Sequence, residues 1–212
     1  MSAMRLHGYF RSTASYRVRI ALYLKGLGYA PVSHHLRKGE QRAPEYLAIN
    51  PQGLVPALEL GGGAVLTQSL AICEYLDEIV PDPALLPGDP VARAHVRAFA
   101  QAIACDIHPV QNLKVLDRLR ALGLDEDAAT GWARATIEEG LDACDRLIAG
   151  EAGRFCFGDA VTLADICLVP QLVNARRFGA DLRWPRLLAI EAACLALPAF
   201  ADAAPERQAD AE

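Results

Sequence analysis

Apolar and polar positions follow two regimes along this chain. Up to about residue 80, short apolar runs alternate with stretches of helical period. Met4 to Tyr9 is short and mixed apolar and predicts a strand. Ser12 to Leu27 carries Val18, Ala21, Leu22 and Tyr23 at helical spacing, with Gly26 and Gly28 as stop signals. Tyr29 to His34 predicts a second strand, with His34 and His35 at its edge. Glu40 to Ile49 predicts a short polar helix ending at the Asn50-Pro51 turn. Pro56 to Leu60 and Gly63 to Thr67 predict a hairpin turned at Gly61, Gly62 and Gly63. Gln68 to Ile79 predicts a helix with Leu70, Ile72, Cys73 and Leu76 on its apolar face. The order is βαβ followed by αββα.

Pro81, Pro83, Pro87 and Pro90 then interrupt the pattern. Proline at that density continues neither a helix nor a central strand, so the segment predicts a linker. Every later periodic segment is helical. Val91 to Leu122 predicts one long helix or a bent pair, and Asp127 to Ala149 another. Thr162-Leu163-Ala164-Asp165 predicts a capping box opening an apolar helix to about Arg177. Pro185 to Leu197 predicts the last helix, and the alanine-rich tail from Ala201 is expected to be frayed. The expected organisation is an α/β domain over 1–82, a linker over 83–90 and an all-α domain over 91–212.

Composition narrows the class. With 52% apolar and 22% charged residues in 212, the chain is not a disordered acidic protein. Its six cysteines include no CxxC pair and sit in apolar stretches, so all six are expected as core residues of a reducing, cytoplasmic compartment, neither disulfides nor metal ligands. The first segment has no apolar h-region, and the longest uncharged run, Leu60 to Cys73, is too short to span a bilayer. Residues 1–84 hold 8 Lys+Arg against 7 Asp+Glu, and the remainder holds 13 against 19. No basic field of nucleic-acid size exists, but Arg11, Arg17 and Arg19 cluster, which suits a small anionic ligand.

Three segments carry candidate chemistry. An apolar residue before proline at a strand entry, Val55-Pro56, can hold a cis peptide and present the Val55 backbone to a peptide ligand; it also reads as an ordinary turn. Ser69, after Gln68 at a helix start, can hold a carboxylate together with the first-turn N–H groups, or simply cap the helix. Ser12, beside Arg11 at another helix start, can donate to a thiolate or act as a cap. Arg17 and Arg19 also read as structural, paired with carboxylates of the second domain.

The three segments occur together, in order, and the chain resembles the glutathione transferase superfamily over essentially its whole length. The stretch Ser12-Thr13-Ala14-Ser15-Tyr16-Arg17-Val18-Arg19-Ile20-Ala21-Leu22 is similar to the zeta-class signature Ser-Ser-Cys-x-x-Arg-Val-Arg-Ile-Ala-Leu. Leu163 to Gln171 and Asn174-Ala175-Arg176-Arg177-Phe178 resemble that class too. The resemblance implies a thioredoxin-like α/β N-terminal domain, an all-α C-terminal helical domain, glutathione as cofactor, a small dicarboxylate substrate and a homodimer. It implies that Ser12 hydrogen-bonds the glutathione sulfur, that Val55 pairs with the cysteinyl backbone beside cis-Pro56, and that Gln68 and Ser69 hold the γ-glutamyl end. It places Arg11 and Arg177 towards the acidic substrate, with Arg177 preferred over Arg176, and His108, Gln111 and Asn112 along the cleft. Lys114 stands where some relatives carry arginine.

The implied activity is a glutathione-dependent cis-trans isomerisation of a maleyl-type acid: maleylacetoacetate to fumarylacetoacetate, with maleylpyruvate as the alternative substrate. The thiolate adds to the cis alkene, the resulting single bond rotates, and expulsion leaves the trans alkene. One departure stands out: Ala14 replaces the family's usual cysteine and Thr13 its second serine. Chemistry that needs a protein thiol is thereby put in doubt, whereas isomerisation is not, because the nucleophile belongs to glutathione. A broad detoxifying transferase is a second reading, disfavoured by the arginine set; a non-catalytic binding module is a third, disfavoured by retention of all three glutathione segments.

Overall fold

The computed structural model describes residues 4–212; residues 1–3, which open the expected first domain, lie outside the described residues. The chain forms two compact units, one running to Leu85 and including Ala196–Glu212, the other Leu86–Leu195.

In the first unit, β1 (Met4–Gly8) pairs in parallel with β2 (Tyr29–Ser33) and antiparallel with β3 (Ala57–Glu59), which pairs antiparallel with β4 (Val65–Thr67). The sheet order is β2-β1-β3-β4. α1 (Thr13–Leu24) crosses between β1 and β2, and α3 (Ser69–Ile79) follows β4 and packs on α1. This is the expected thioredoxin-like α/β arrangement. The glycine turn closes the hairpin through a 2.8 Å bond from Leu60 N–H to the Ala64 carbonyl, with Gly63 at φ +86°. Only Pro44–Ile49 (α2) of the expected 40–49 helix is α-helical; Glu40–Arg42 is a single 3₁₀ turn. Pro44 explains the break: it begins a helix well but has no N–H to continue one from before it.

Lys25 marks where this unit ends. Its ammonium is buried and donates to the Asp77 carboxylate at 2.7 Å, to the Val80 carbonyl at 2.7 Å and to the Pro83 carbonyl at 2.5 Å. All three of its donors are thus used on the C-terminal end of α3 and the start of the proline segment.

The tail corrects the expectation of fraying and shortens the expected 91–212 domain. α9 (Pro198–Ala203) packs on α1, with Phe200 fully buried. The Tyr16 hydroxyl donates to the Phe200 carbonyl at 3.0 Å, and Arg19 Nε to the Ala203 carbonyl at 2.8 Å. Arg19 therefore serves backbone carbonyls, not the second-domain carboxylates expected for it. Beyond α9, the Asp210 carboxylate accepts from Phe10 N–H at 3.1 Å and the Ser33 hydroxyl at 2.6 Å.

The second unit is helical. α4 (Pro90–Gln101) is capped by Asp89 and runs into a π-helical segment at Ala102–Ile107. α5 (Leu113–Ala121) follows, so the expected 91–122 segment is a bent pair. α6 (Glu126–Leu147), α7 (Leu163–Arg177) and α8 (Pro185–Leu195) complete the unit. α7 is buried nearly all round, as a helix apolar on every face must be. Its start is held by Asp165, whose carboxylate accepts from Cys156 N–H at 2.8 Å, Thr162 N–H at 2.8 Å and the Thr162 hydroxyl at 2.9 Å. Burial raises the Asp165 pKa against these hydrogen bonds, which lower it. Five cysteines are buried as expected; Cys105 is exposed, on the outer side of the π segment. No helix among the described residues is long and apolar enough to cross a membrane.

Phe200→Ala is expected to cost about 4 kcal/mol, the range for deleting a buried phenylalanine. Urea denaturation checks this; a frayed tail would give no change.

Candidate active site

Register decides which loops share an end of the sheet. His7 lies opposite Ala57, and Ala57 opposite Thr67. β1 leaves the sheet at Gly8, antiparallel β3 enters at Ala57, and β4 leaves at Thr67. The loop carrying Arg11 and Ser12, the segment Val55-Pro56, and the start of α3 with Gln68 and Ser69 therefore emerge at one edge.

Ser12 is the N-cap of α1, and its Oγ accepts from Ser15 N–H at 3.1 Å. The cap uses a lone pair of the hydroxyl and leaves its proton to donate, so the two sequence readings of Ser12 are compatible. The first turn of α1 contains no acidic residue, so the helix end keeps its positive potential. Thr13, Ala14 and Ser15 are buried, and a Cβ at Gly8 would lie 3.2 Å from Ser15 Oγ, which explains the small residue there. Arg11 is half-buried.

The Val55–Pro56 peptide is cis. Val55 is buried in a cluster with Tyr9, Phe10 and Tyr46. The preceding Leu54 carbonyl accepts from the Tyr46 hydroxyl at 2.6 Å and from Asn50 Nδ2 at 2.7 Å. Burial pushes the Tyr46 phenol up to about 12, so it remains a donor throughout the physiological range. Asn50 Oδ1 accepts in turn from Gln52 N–H at 3.1 Å, and the loop ahead of Val55 is held at several points.

Gln68, at φ +69°, is the one non-glycine residue with positive φ among the described residues. Such a backbone costs about 1–3 kcal/mol and is retained where the surroundings over-determine it. Its Nε2 donates to Gln52 Oε1 at 3.0 Å. Gln68, not Ser69, occupies the N-cap of α3. Ser69 is the first helical residue, buried, with its Oγ accepting from Arg17 Nη1 at 3.3 Å. Arg17 thus meets a hydroxyl, not the carboxylate expected for it.

In the helical unit, the π segment ends at His108, whose N–H reaches the Ile103 carbonyl at 2.9 Å. π-helical insertions recur at functional sites because they redirect the following side chains. His108 is half-buried, Gln111 is buried with its Nε2 unpartnered, and Asn112 caps α5 through a 2.7 Å bond from Lys114 N–H. Lys114 is exposed. Two α6 residues seat this stretch: Trp132 Nε1 donates to the Val110 carbonyl at 3.2 Å, and a Cβ on Gly140 would fall 2.3 Å from Ile107 Cγ1. Arg177 is exposed near the end of α7, with Nη1 on Asn174 Oδ1 at 3.1 Å. Arg176 forks onto Glu191 at 2.6 and 2.5 Å, a structural role that separates it from Arg177. Arg134 fixes the end of α7 by donating to the Phe178 carbonyl at 3.1 Å.

The supporting roles of Arg17, Tyr46, Trp132, Arg134 and Gly140 depend on tertiary placement; only Arg17, in its cluster, drew attention by sequence. Three of the buried thiols are poor nucleophiles: burial pushes Cys144 up to about 12 and raises Cys156 and Cys194 well above the ordinary thiol value.

A thioredoxin-like unit with a cis-proline loop and a helical partner unit defines a glutathione transferase architecture. The family model for the glutathione S-transferase N-terminal domain matches residues 11–79, and that for the C-terminal domain matches 90–193. The chain belongs to the glutathione S-transferase family. It is 50% identical over 210 residues to a maleylacetoacetate isomerase of Pseudomonas aeruginosa, covering 98% of each chain. It is 48% identical to a maleylpyruvate isomerase of Ralstonia, covering 98% of this chain and 99% of that one. Among solved structures, a holo maleylpyruvate isomerase described as a zeta-class bacterial glutathione S-transferase superposes with a TM-score of 0.95 at 47% identity, covering 98% and 100%. A maleylacetoacetate isomerase of Anaeromyxobacter dehalogenans, solved with dicarboxyethyl glutathione and citrate in its active site, gives 0.89 at 45%, covering 99% and 98%.

Gly140→Ala is expected to destabilise the protein by about 1–3 kcal/mol, the usual cost of overpacking. Gly131→Ala, on the same helix with nothing within 4 Å of a new Cβ, is expected to be neutral or to stabilise by up to about 1 kcal/mol. Urea denaturation of the two variants gives the contrast.

Proposed function

We propose that this protein is a glutathione-dependent cis-trans isomerase of a maleyl-type dicarboxylic acid, with maleylacetoacetate, converted to fumarylacetoacetate, as its substrate. The observation that carries the reading is Ser12: it caps the positive end of α1 while keeping a proton to donate, in a chain similar end to end to isomerases of this type. Maleylpyruvate is the alternative substrate, supported by the Ralstonia relative and the zeta-class structure.

The residues suit glutathione. An anionic tripeptide meets the N-terminal ends of α1 and α3, and the buried Arg17 beside Ser69 keeps guanidinium nitrogens without a protein partner. Glutathione, when bound, supplies a thiolate that adds reversibly to the cis alkene and so frees that bond to rotate. Ser12 holds the sulfur ionised by donating its hydroxyl proton towards it. The Val55 backbone beside cis-Pro56 aligns the cysteinyl residue, while Gln68 and Ser69 hold the γ-glutamyl end. In the helical unit, His108, Gln111 and Asn112 are assigned to glutathione; Arg177 in that unit and Arg11 in the first are each assigned to orienting substrate carboxylates and stabilising developing negative charge. The dicarboxyethyl group on glutathione in the Anaeromyxobacter isomerase supports addition at sulfur by a dicarboxylic alkene. We assign residues 1–82 to glutathione binding and the helical unit after the 83–90 linker to the substrate, in a cytoplasmic homodimer; the free cysteines support a reducing compartment.

The test supplies maleylacetoacetate and maleylpyruvate separately, with and without glutathione, and follows the trans product. Glutathione-dependent turnover is expected with at least one, and its absence with both would contradict the reading. Ser12→Ala is expected to lower kcat by about 100-fold or more, the scale of one lost anion-stabilising donor. Arg177→Ala is expected to raise KM and lower kcat beyond the effect of Arg183→Ala, a surface change. Equal effects of those two arginine variants would remove Arg177 from the substrate site.

A further inference from the structure

β1 ends at Gly8, and the chain then turns: Ser12 N–H donates to the Tyr9 carbonyl at 3.0 Å, with Phe10 and Arg11 between them. Phe10 is buried and lies past the strand, so its backbone groups need partners from outside the sheet. Its carbonyl accepts from Arg19 Nη2 at 3.1 Å, and Arg19 is itself held by the Ala203 carbonyl. Its N–H donates to the Asp210 carboxylate at 3.1 Å, from a residue 200 positions away in sequence.

Asp210 is held in place in turn. The Ser33 hydroxyl donates at 2.6 Å to Oδ2, the same oxygen that serves Phe10. Two residues on, Glu212 Oε1 lies 2.9 Å from His35 Nε2. His35 Nδ1 accepts from Lys38 N–H at 3.2 Å, so Nε2 carries the ring proton and donates it to Glu212. Gln208 Nε2 donates to the Asp202 and Ala204 carbonyls at 3.0 and 2.8 Å, which folds the tail back after α9. Ala209, Ala211 and Glu212 are exposed. Apolar packing therefore does not account for where these residues lie; their hydrogen bonds to the end of β2 and to the turn ahead of Ser12 do.

We propose that Asp210 is a positioning residue for the reaction: it fixes the Phe10 peptide, and so sets the turn that aims the Ser12 hydroxyl at the glutathione sulfur. The Ser12 hydroxyl has two duties, accepting from Ser15 N–H and donating towards sulfur, and both depend on how the turn delivers its backbone. An ionised acceptor makes the bond to Phe10 N–H stronger than a neutral one would. Asp210 is assigned no contact with either ligand and acts through the backbone from Phe10 to Ser12. The inference rests on the glutathione reading given above.

Two measurements on the full chain test it: the thiolate absorbance of bound glutathione titrated with pH, and steady-state kinetics with the maleyl acid that wild type turns over. Asp210 is half-buried, and its truncation opens no cavity in the core. Asp210→Ala is expected to lower kcat at saturating glutathione by about tenfold, less than the hundredfold scale of a 1 Å misplacement. It is expected to raise the bound-thiol pKa part of the way that Ser12→Ala raises it. The KM for glutathione is expected to stay within about twofold, because Val55, Gln68 and Ser69 are untouched. Asp210→Asn can present its Oδ1 to both donors and is expected to recover most of the kcat and of the thiol shift. A bound-thiol pKa that Asp210→Ala leaves unmoved would mean a merely structural tail and would overturn the proposal, whatever the change in stability. An asparagine variant as impaired as the alanine one would overturn it too. If wild type shows no lowered thiol pKa, the role given to Ser12 fails and this inference with it; a lowered wild-type value that survives Asp210→Ala sinks this inference alone.

Discussion

The pairing of His7 with Ala57, and of Ala57 with Thr67, is the constraint on which the site depends. A slip of one residue would turn each strand's inward side chains outward and move all three loops relative to one another. Leu6 and Leu58 pair and are both buried, so the register is held by the core. His7 adds a polar pin. Its ring is buried, with Nδ1 2.9 Å from His34 Nε2 and Nε2 3.3 Å from the Glu59 carboxylate, and so ties β1 to the end of β2 and to β3. Burial, and then the neighbouring His7, lower the pKa of His34, which favours an uncharged His34 ring at neutral pH.

α1 converts this sheet edge into a chemical site. It is buried from Thr13 to Leu22 because α3 and α9 both pack on it, and its start projects from the sheet edge with no acidic side chain to offset its dipole. The tail contributes more than cover. Arg19 donates both to the Ala203 carbonyl and, at 3.1 Å, to the Phe10 carbonyl, while Asp210 accepts from Phe10 N–H, so a residue two positions before Ser12 is held directly by the tail at its N–H and through Arg19 at its carbonyl.

Local signals were legible and long-range ones were not. The α1 boundaries, the glycine hairpin and the Thr162–Asp165 box each follow from residues within one turn of each other. The ordered tail was not readable, because what stabilises Phe200 and Ala203 are Tyr16 and Arg19, more than 180 residues away. Their alanine-rich context alone resembles a fraying end. The π segment was likewise hidden: its sequence is ordinary helix, and the accommodation lies in Gly140 on another helix. At the site, residue types at helix starts pointed to Ser12 and Ser69, but only the fold distinguishes the N-cap Ser12 from Ser69, which sits one residue inside its helix. Arg17 drew attention as part of a cluster, and the reason it matters, two unpartnered nitrogens in the interior, is visible only in three dimensions.

In the proposed mechanism the end of α1, through Ser12, ionises a sulfur the chain does not own. Ala14 leaves no cysteine in the signature, and burial raises the thiol pKa at Cys144, Cys156 and Cys194. The most direct measurement is the ultraviolet absorbance of the thiolate of bound glutathione, titrated with pH in wild type and in Ser12→Ala. The account predicts a bound thiol pKa well below that of free cysteine, about 8.5, moving back towards that value in the variant. A bound thiol that titrates like the free one, or a depressed pKa that survives Ser12→Ala unchanged, would contradict it.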